Sequence, residues 1–470
     1  MTQAGDRSIR DLVMARATRR AVMRGAAGVG LGMGMGMGMA PLGGRLAGAQ
    51  DTGENPFPQV TLPRAEGQTV SFMTIQPHAV TGDILKQRFE ELTGATVNLT
   101  VVPYDEVQAK ATLDVQSGAN QIDVLDYWYP TVGALASQGI LDDLTDYIEA
   151  EKAEILPEDF IPSIYDPYTL VDGKRWGLPY DGDTHVLFYN TEIFEKAGVT
   201  KAPETWDEYL AAAKTITEAG LTMEDGKAIY GCALQGFKVP IIIGCSYSNR
   251  LAGFGGAFLN ADGSPALDSE AAIQAAQAMI DVAPYALPTP LETAFDQALP
   301  AFLSGQVAMM EFWTDLGVYA QDPEGSKIVD KWDVVQNPFG GANTKHIAPL
   351  DAGFCFAVSA NAKNKELART FCKWATSQQI NLDLLLTTGS GIDPTRVSTL
   401  ESEAYGAFAP KVQKAAAAAL SGAFAWPTIP QSPDLMTVLS DELAVMLQGS
   451  QDAAATMANI QAEWIRILGS

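Results

Sequence analysis

Carboxylates and aromatic rings fall close together at several points of this sequence. Asp181 and Asp183 flank Gly182, and Asp126, Tyr127, Trp128 and Tyr129 form an unbroken run. Glu311 stands two residues before Trp313, and Trp426 precedes Pro427. Carboxylates accept paired hydrogen bonds from vicinal hydroxyls, and their charge strengthens those bonds. Aromatic faces pack on the apolar C–H face of a pyranose, while indole and phenol edges keep a polar contact. The same residue kinds suit a polyamine, through ion pairs and cation–π contacts. Asp181 and Asp183 could also be the acid and base of a glycosidase, which places its carboxyls roughly 5–9.5 Å apart across the scissile bond. A ferric site would draw on Tyr180, Asp181 and His185; a phosphate site would want clustered bases, for which Arg175 and Arg396 are the candidates.

The elements that must position these residues alternate. Thr69 to Ile75 is a short apolar run with the length of a buried strand. Leu85, Phe89 and Leu92 follow at helical spacing and stop at Gly94, then Val97, Leu99 and Val101 alternate with polar residues as a strand does. A helix through Val107, Ala111 and Val115 ends at Gly118, and Ile122 to Leu125 is the next strand. A second such pattern begins with the strand His185–Tyr189, and Thr205-x-x-Glu208 is a capping box opening a helix. Further helices are expected at 269–283, 292–304, 364–377, 404–420 and 434–447. This β/α alternation predicts an α/β chain with largely parallel sheets, which bind ligands beyond the carboxyl ends of their strands. That rule puts Gln76 to His78 and Asp126 to Trp128 at one candidate site.

Composition narrows the function. The chain has 470 residues, 47% of them hydrophobic, enough for two or more domains or lobes. A net charge of −25 repels phosphate backbones and anionic headgroups, so no nucleic-acid or membrane-surface partner is expected. No phosphate loop, G-x-G-x-x-G, H-E-x-x-H or G-x-S-x-G motif occurs, and His78, His185 and His346 are scattered. No known motif therefore proposes an enzyme, and no cofactor or metal is expected. Cys232, Cys245, Cys355 and Cys372 lack C-x-x-C spacing and are expected as buried free thiols, with Cys232 and Cys245 the nearest pair for a disulfide.

The first 49 residues read as a leader. Arg19-Arg20 precedes Ala21-Val22-Met23-Arg24, a weakly apolar Gly/Ala/Met tract follows, and Ala47-Gly48-Ala49 forms an A-x-A cleavage pattern. This resembles a twin-arginine signal, which exports folded proteins. The competing reading, an N-terminal membrane anchor, sits badly with so many glycines. Residues 50–67, with Pro56, Pro58 and Pro63, look like a flexible lead-in.

Several blocks together carry a resemblance. Gly177-Leu178-Pro179-Tyr180, then Leu187-Phe188-Tyr189-Asn190 with Phe194, then Pro203-Glu204-Thr205-Trp206-Asp207-Glu208 resemble the signature of family 1 extracellular solute-binding proteins. Ala301 to Met309 with Trp313, Ala352-Gly353-Phe354, Asn364 to Trp374, Gly391 to Arg396 and Trp426 to Pro430 are similar to later blocks, in the family's order. The resemblance implies a periplasmic, monomeric component of an ABC importer that delivers a carbohydrate to a membrane permease. It implies a type II two-lobe fold closing by a hinge, with 68–180 plus 350–397 as the first lobe and 181–349 plus 398–470 as the second. The crossings fall near Pro179–Asp183, Ile347–Gly353 and Arg396–Thr399. Asp183 matches a sugar-binding carboxylate of the family. Asp181, Asp126, Tyr127, Trp128, Trp313, Glu311, Trp426, Gln76 and His78 join it as candidate ligand contacts. Gly353 would let the ligand approach backbone, and Arg396 either touches ligand or bridges the lobes. Polyamine binding stays open as an alternative.

The leader reading is testable directly. Changing both Arg19 and Arg20 to lysine should leave full-length precursor in the cytoplasm, as seen by fractionation; undiminished export would remove the twin-arginine assignment.

Overall fold

The computed structural model describes residues 56–469; the leader, and the first part of the lead-in, lie outside the described residues. The lead-in from residue 56 has no regular structure until Ala65, which is buried and donates its N–H to Thr93 O at 2.8 Å.

Two sheets organise the chain. The first combines β1 (Thr69–Ile75), β2 (Thr96–Val102), β3 (Val124–Trp128), β6 (Leu178–Asp181) and β11 (Phe354–Val358), in the order β2-β1-β3-β11-β6. The second combines β7 (His185–Asn190), β8 (Tyr230–Cys232), β9 (Val307–Trp313) and β10 (Trp332–Val335), in the order β10-β7-β9-β8. Between β3 and β6, β4 (Leu170–Val171) and β5 (Lys174–Arg175) form a small hairpin. Helices flank both sheets, giving an α/β fold of two lobes.

The sheets are mixed, which corrects the largely parallel expectation. β1 runs parallel to β2 and β3, and β8 parallel to β9. β11 runs antiparallel to β3 and β6, and β7 antiparallel to β9 and β10. The cause is connectivity. Parallel pairs need a helix crossover within one lobe, whereas β7 and β11 each enter their sheet from the other lobe.

Local chemistry fixes most of the helices where expected. Ser269 and Asn364 cap helices Glu270–Val282 and Lys365–Ala375 by accepting from Ala272 N and Leu367 N. Thr205 accepts from Glu208 N, but Glu208 returns its carboxylate to Glu204 N, so the capping box is offset by one residue. The helix expected over 404–420 is two, Glu403–Phe408 and Pro410–Leu420, because Pro410 has no N–H to continue the ladder. Helices Gln378–Leu385 and Ala453–Leu468 are additional to those expected. All four cysteines are buried and unpaired. Among the described residues no helix is long and apolar enough to cross a membrane.

Three crossing segments run side by side between the sheets. Gly182-Asp183-Thr184 links β6 to β7, and the stretch ending in Ala352-Gly353 leads from β10 to β11. Thr184 Oγ1 donates to Pro349 O at 2.8 Å, and Gly353 N–H donates to Asp183 Oδ2 at 3.0 Å. The segment around Asp393 and Pro394 closes against the same point, with Gly182 N–H donating to Asp393 O at 3.3 Å. A Cβ on Gly182 would sit 1.9 Å from Pro394 O, so only glycine fits. Gly182→Ala should cost roughly 1–3 kcal/mol by overpacking, read as a lower melting temperature. An unchanged melt would show that this seam is open in solution.

Candidate functional site

β1 and β3 end side by side, and their ends hold the first polar group of the site. His78 follows β1 and precedes helix Ala79–Thr93. Its Nδ1 lies 2.8 Å from Asp126 Oδ2 on β3, and its Nε2 lies 3.1 Å from Asp181 Oδ2 at the end of β6. Thr74 Oγ1 adds a donor to Asp126 at 2.7 Å. Burial works to lower the His78 pKa, but the flanking carboxylates of Asp126 and Asp181 overcome it and raise it to about 10. The ring is therefore an imidazolium donating from both nitrogens.

The crossings supply the second group. Asp181, Asp183 and Asp393 bring carboxylate oxygens within 4.8 Å of one another, all buried. Asp181 Oδ1 accepts from Asp393 N–H at 2.6 Å, and Thr314 Oγ1 donates to Asp393 Oδ1. Asp315, next along the chain, is buried with its Oδ1 unpartnered, as is Asp393 Oδ2. Burial, and then repulsion from Asp181, holds Asp183 well above the usual aspartate range and raises Asp393 to about 7. Burial and the Asp393 charge do the same to Asp315. These groups enclose a cavity of about 50 Å³ between the lobes. Ile75, Pro77, His78, Phe354 and Gly391 line it from one side, and Ile241, Ile242, Phe295, Trp313 and Asp315 from the other. Asp181, Asp183 and Ala352 form its floor at the crossings, and Tyr104 completes the wall.

Of the residues singled out in the sequence, Asp181, Asp183, His78 and Trp313 line this cavity. Asp126 stands one step behind, holding His78. The others are engaged elsewhere. The Tyr127 hydroxyl donates to Tyr168 O, and Tyr129 stacks on Tyr168 at 4.3 Å. Trp128 packs edge-on against Trp426 at 5.7 Å. Trp426 donates its indole N–H to Asp351 Oδ1 at 2.9 Å, and Glu311 forms a buried pair with Arg250 at 3.1 Å. At Gly353, with φ +70°, the close neighbour is the Tyr168 hydroxyl, 2.0 Å from where a Cβ would lie. Gln76 uses its backbone N–H on Val102 O. Arg396 is fully buried under Phe160, donating to Ile155 O and Thr376 O. Tyr127, Tyr129, Trp426, Glu311 and Arg396 thus brace the core and crossings, while Trp128 keeps a buried indole N–H without a partner. Tyr180 and His185 do not converge, since Tyr180 stacks on Phe356 and His185 Nδ1 lies 2.8 Å from Asn249 Nδ2 in the other lobe.

Sequence reasoning missed Asp393, Thr314 and Asp315. Two faint signals existed: Asp393 sits inside the block Gly391 to Arg396, and Trp313-Thr314-Asp315 repeats the aromatic–carboxylate pattern of the Asp126 run.

Two α/β lobes, joined by crossing segments around a largely apolar cavity with a carboxylate floor, have the architecture of a solute-binding protein. The chain belongs to the bacterial extracellular solute-binding protein family, whose model matches residues 77–381. A putative binding protein of Brucella abortus is 31% identical over 230 residues, 48% of this chain and 52% of that protein, so the chain spans about half the length of that relative. The erythritol/L-threitol-binding protein of Mycolicibacterium smegmatis is 23% identical over 72% of each chain. An ABC transporter solute-binding protein of Agrobacterium radiobacter K84, solved in complex with ribitol, superposes with a TM-score of 0.75 at 25% identity, covering 86% of this chain and 100% of that one.

The raised pKa of Asp393 has a stability consequence. Folding retains a proton there from the ordinary aspartate value, 3.8, up to about 7, so this group's contribution is full below that window and lost as pH rises through it. Asp393→Asn mimics the protonated form and keeps an acceptor for Thr314. Its stability relative to wild type should improve between pH 5 and pH 8 in urea titrations. A difference that does not change with pH would mean Asp393 titrates normally.

Proposed function

We propose that this protein is the substrate-binding component of an ABC importer, taking a small carbohydrate or polyol into the interlobe cavity and handing it to a membrane permease. The observation that carries this reading is the cavity itself. It lies at the hinge, has carboxylates on its floor and an indole and a phenyl ring on its wall, and is closed on both sides by different lobes. Its volume of about 50 Å³ holds roughly four waters. The lobes must therefore part to seat even a small alditol, and an oligosaccharide would demand a much wider opening. The ribitol complex of the Agrobacterium relative and the tetritol specificity named for the Mycolicibacterium relative support the same class.

In this reading the lobes are 68–180 plus 350–397 and 181–349 plus 398–470, and solute is captured as they close. Asp183 and Asp315 take ligand hydroxyls, Trp313 and Phe295 cover the C–H face, and His78 holds Asp181 in place. The geometry favours binding over glycoside hydrolysis, because both Asp181 oxygens are already occupied by His78 and Asp393 N–H. The protein acts as an exported, periplasmic monomer, delivered by the twin-arginine route.

A melting screen of the purified protein against erythritol, ribitol, mannitol, glucose and maltose tests the assignment. A binder at 100 times its Kd should add about 2.7 kcal/mol of stability. Asp183→Ala should then weaken that binder about tenfold to hundredfold, as expected for one strong hydrogen bond. Calorimetry showing unchanged affinity in Asp183→Ala would take the cavity floor out of recognition.

A further inference from the structure

Five aspartates gather around the interlobe cavity, namely Asp126, Asp181, Asp183, Asp315 and Asp393, each less than a tenth exposed. Among the described residues, His78 is the one basic side chain in an ion pair with any of them. Five carboxyls thus face a single imidazolium. The surplus acid is concentrated on the side away from His78, where Asp183, Asp315 and Asp393 meet. Two oxygens there have no partner: Asp393 Oδ2, and Asp315 Oδ1 on a side chain that lines the cavity. A buried oxygen without a donor is costly, and a buried charge without a counter-charge more so.

A neutral hydroxyl could satisfy the hydrogen bonds but offers no counter-charge to any of these carboxyls that ionises. An alkylammonium group brings three donors and one positive charge together. A hard divalent cation fits less well. It wants six or more oxygens, whereas both oxygens of Asp181 and one of Asp183 are already bonded, and Ile241, Ile242, Phe295 and Trp313 make much of the wall apolar.

We propose that the solute of this cavity carries a protonated amine, seated between Asp183 and Asp315, so that the natural class is an amino sugar or amino alditol and not its neutral parent. This rests on the reading of the interlobe cavity as the solute site and adds a charge requirement to it. Burial first, and then the neighbouring carboxylates of Asp181 and Asp393, hold Asp183 and Asp315 well above the usual aspartate range in the empty cavity, so an ammonium that favours their charged forms releases protons to solvent as it binds.

Calorimetry on the full protein with matched probes tests the inference: 1-amino-1-deoxyglucitol against glucitol, and glucosamine against glucose, with putrescine and calcium chloride as separate arms. The amine should bind about tenfold or more tighter than its parent at neutral pH, the gain of one charge-assisted contact. The binding heat should also vary with the ionisation enthalpy of the buffer, reporting proton release. Asp315→Asn should bring the amine-to-parent ratio toward one, a ratio that survives a general change in fold stability. A parent bound as tightly as its amine overturns the charge requirement and leaves the polyol reading standing. Putrescine binding where no sugar, alditol or amino derivative binds keeps the amine and overturns the polyol. Calcium competing with the amine makes this a metal site and overturns the inference, and binding by none of the probes overturns both readings.

Discussion

The structure turns on the point where three crossing segments meet at Gly182. Each crossing carries backbone N–H and C=O groups into a buried seam that no regular sheet can satisfy. Two of those N–H groups are met by side-chain carboxylates, Gly353 N–H by Asp183 and Asp393 N–H by Asp181, while Asp393 O accepts from Gly182. The acids that form the cavity floor are thus also what joins the crossings. Moving one lobe against the other must disturb them, and anything that contacts them bears on the hinge.

A second network ties the wall to the outer structure. Asp351 accepts from Trp426 and Ser248 through its carboxylate, and its backbone oxygen accepts from the Trp313 indole. Burial pushes its pKa up to about 8. Beside it His185 is held neutral, its pKa lowered to about 3 by burial. Trp426 therefore acts on the cavity at one remove, by fixing the residue that fixes Trp313. Ala352, the floor residue next to Asp351, lies in the left-handed region at φ +69°, a strained conformation of the kind that surrounding contacts must hold in place.

Much of this was legible in the sequence, and the failures are physical. Strand and helix positions followed from periodicity because each lobe's sheet buries local apolar runs, as in Thr69–Ile75 and His185–Tyr189. Strand direction was not legible, since it depends on which lobe a strand comes from. Asp181 and Asp183 stood out because they sit two apart in one segment. Asp393 and Asp315 join them only through long-range folding, which spacing does not encode. The aromatic residues are ambiguous for another reason. Tyr127, Tyr129 and Trp426 are the residue types a sugar site needs, yet a hinge needs them too, as rigid bodies with one hydrogen-bonding edge. Gly353 was rightly seen as a place of close approach, but its neighbour is Tyr168.

The four buried, unpaired cysteines bear on when this protein can become itself. Cys232, Cys245, Cys355 and Cys372 fill apolar space in both lobes as small hydrophobic groups, so no covalent staple has to form after synthesis. The native state is then the same molecule in a reducing cytosol and in an oxidising envelope. No disulfide has to form or reshuffle for the core to close. A chain of this kind can finish its core before it meets a membrane, which is the condition any translocase that carries completed folds imposes on its cargo.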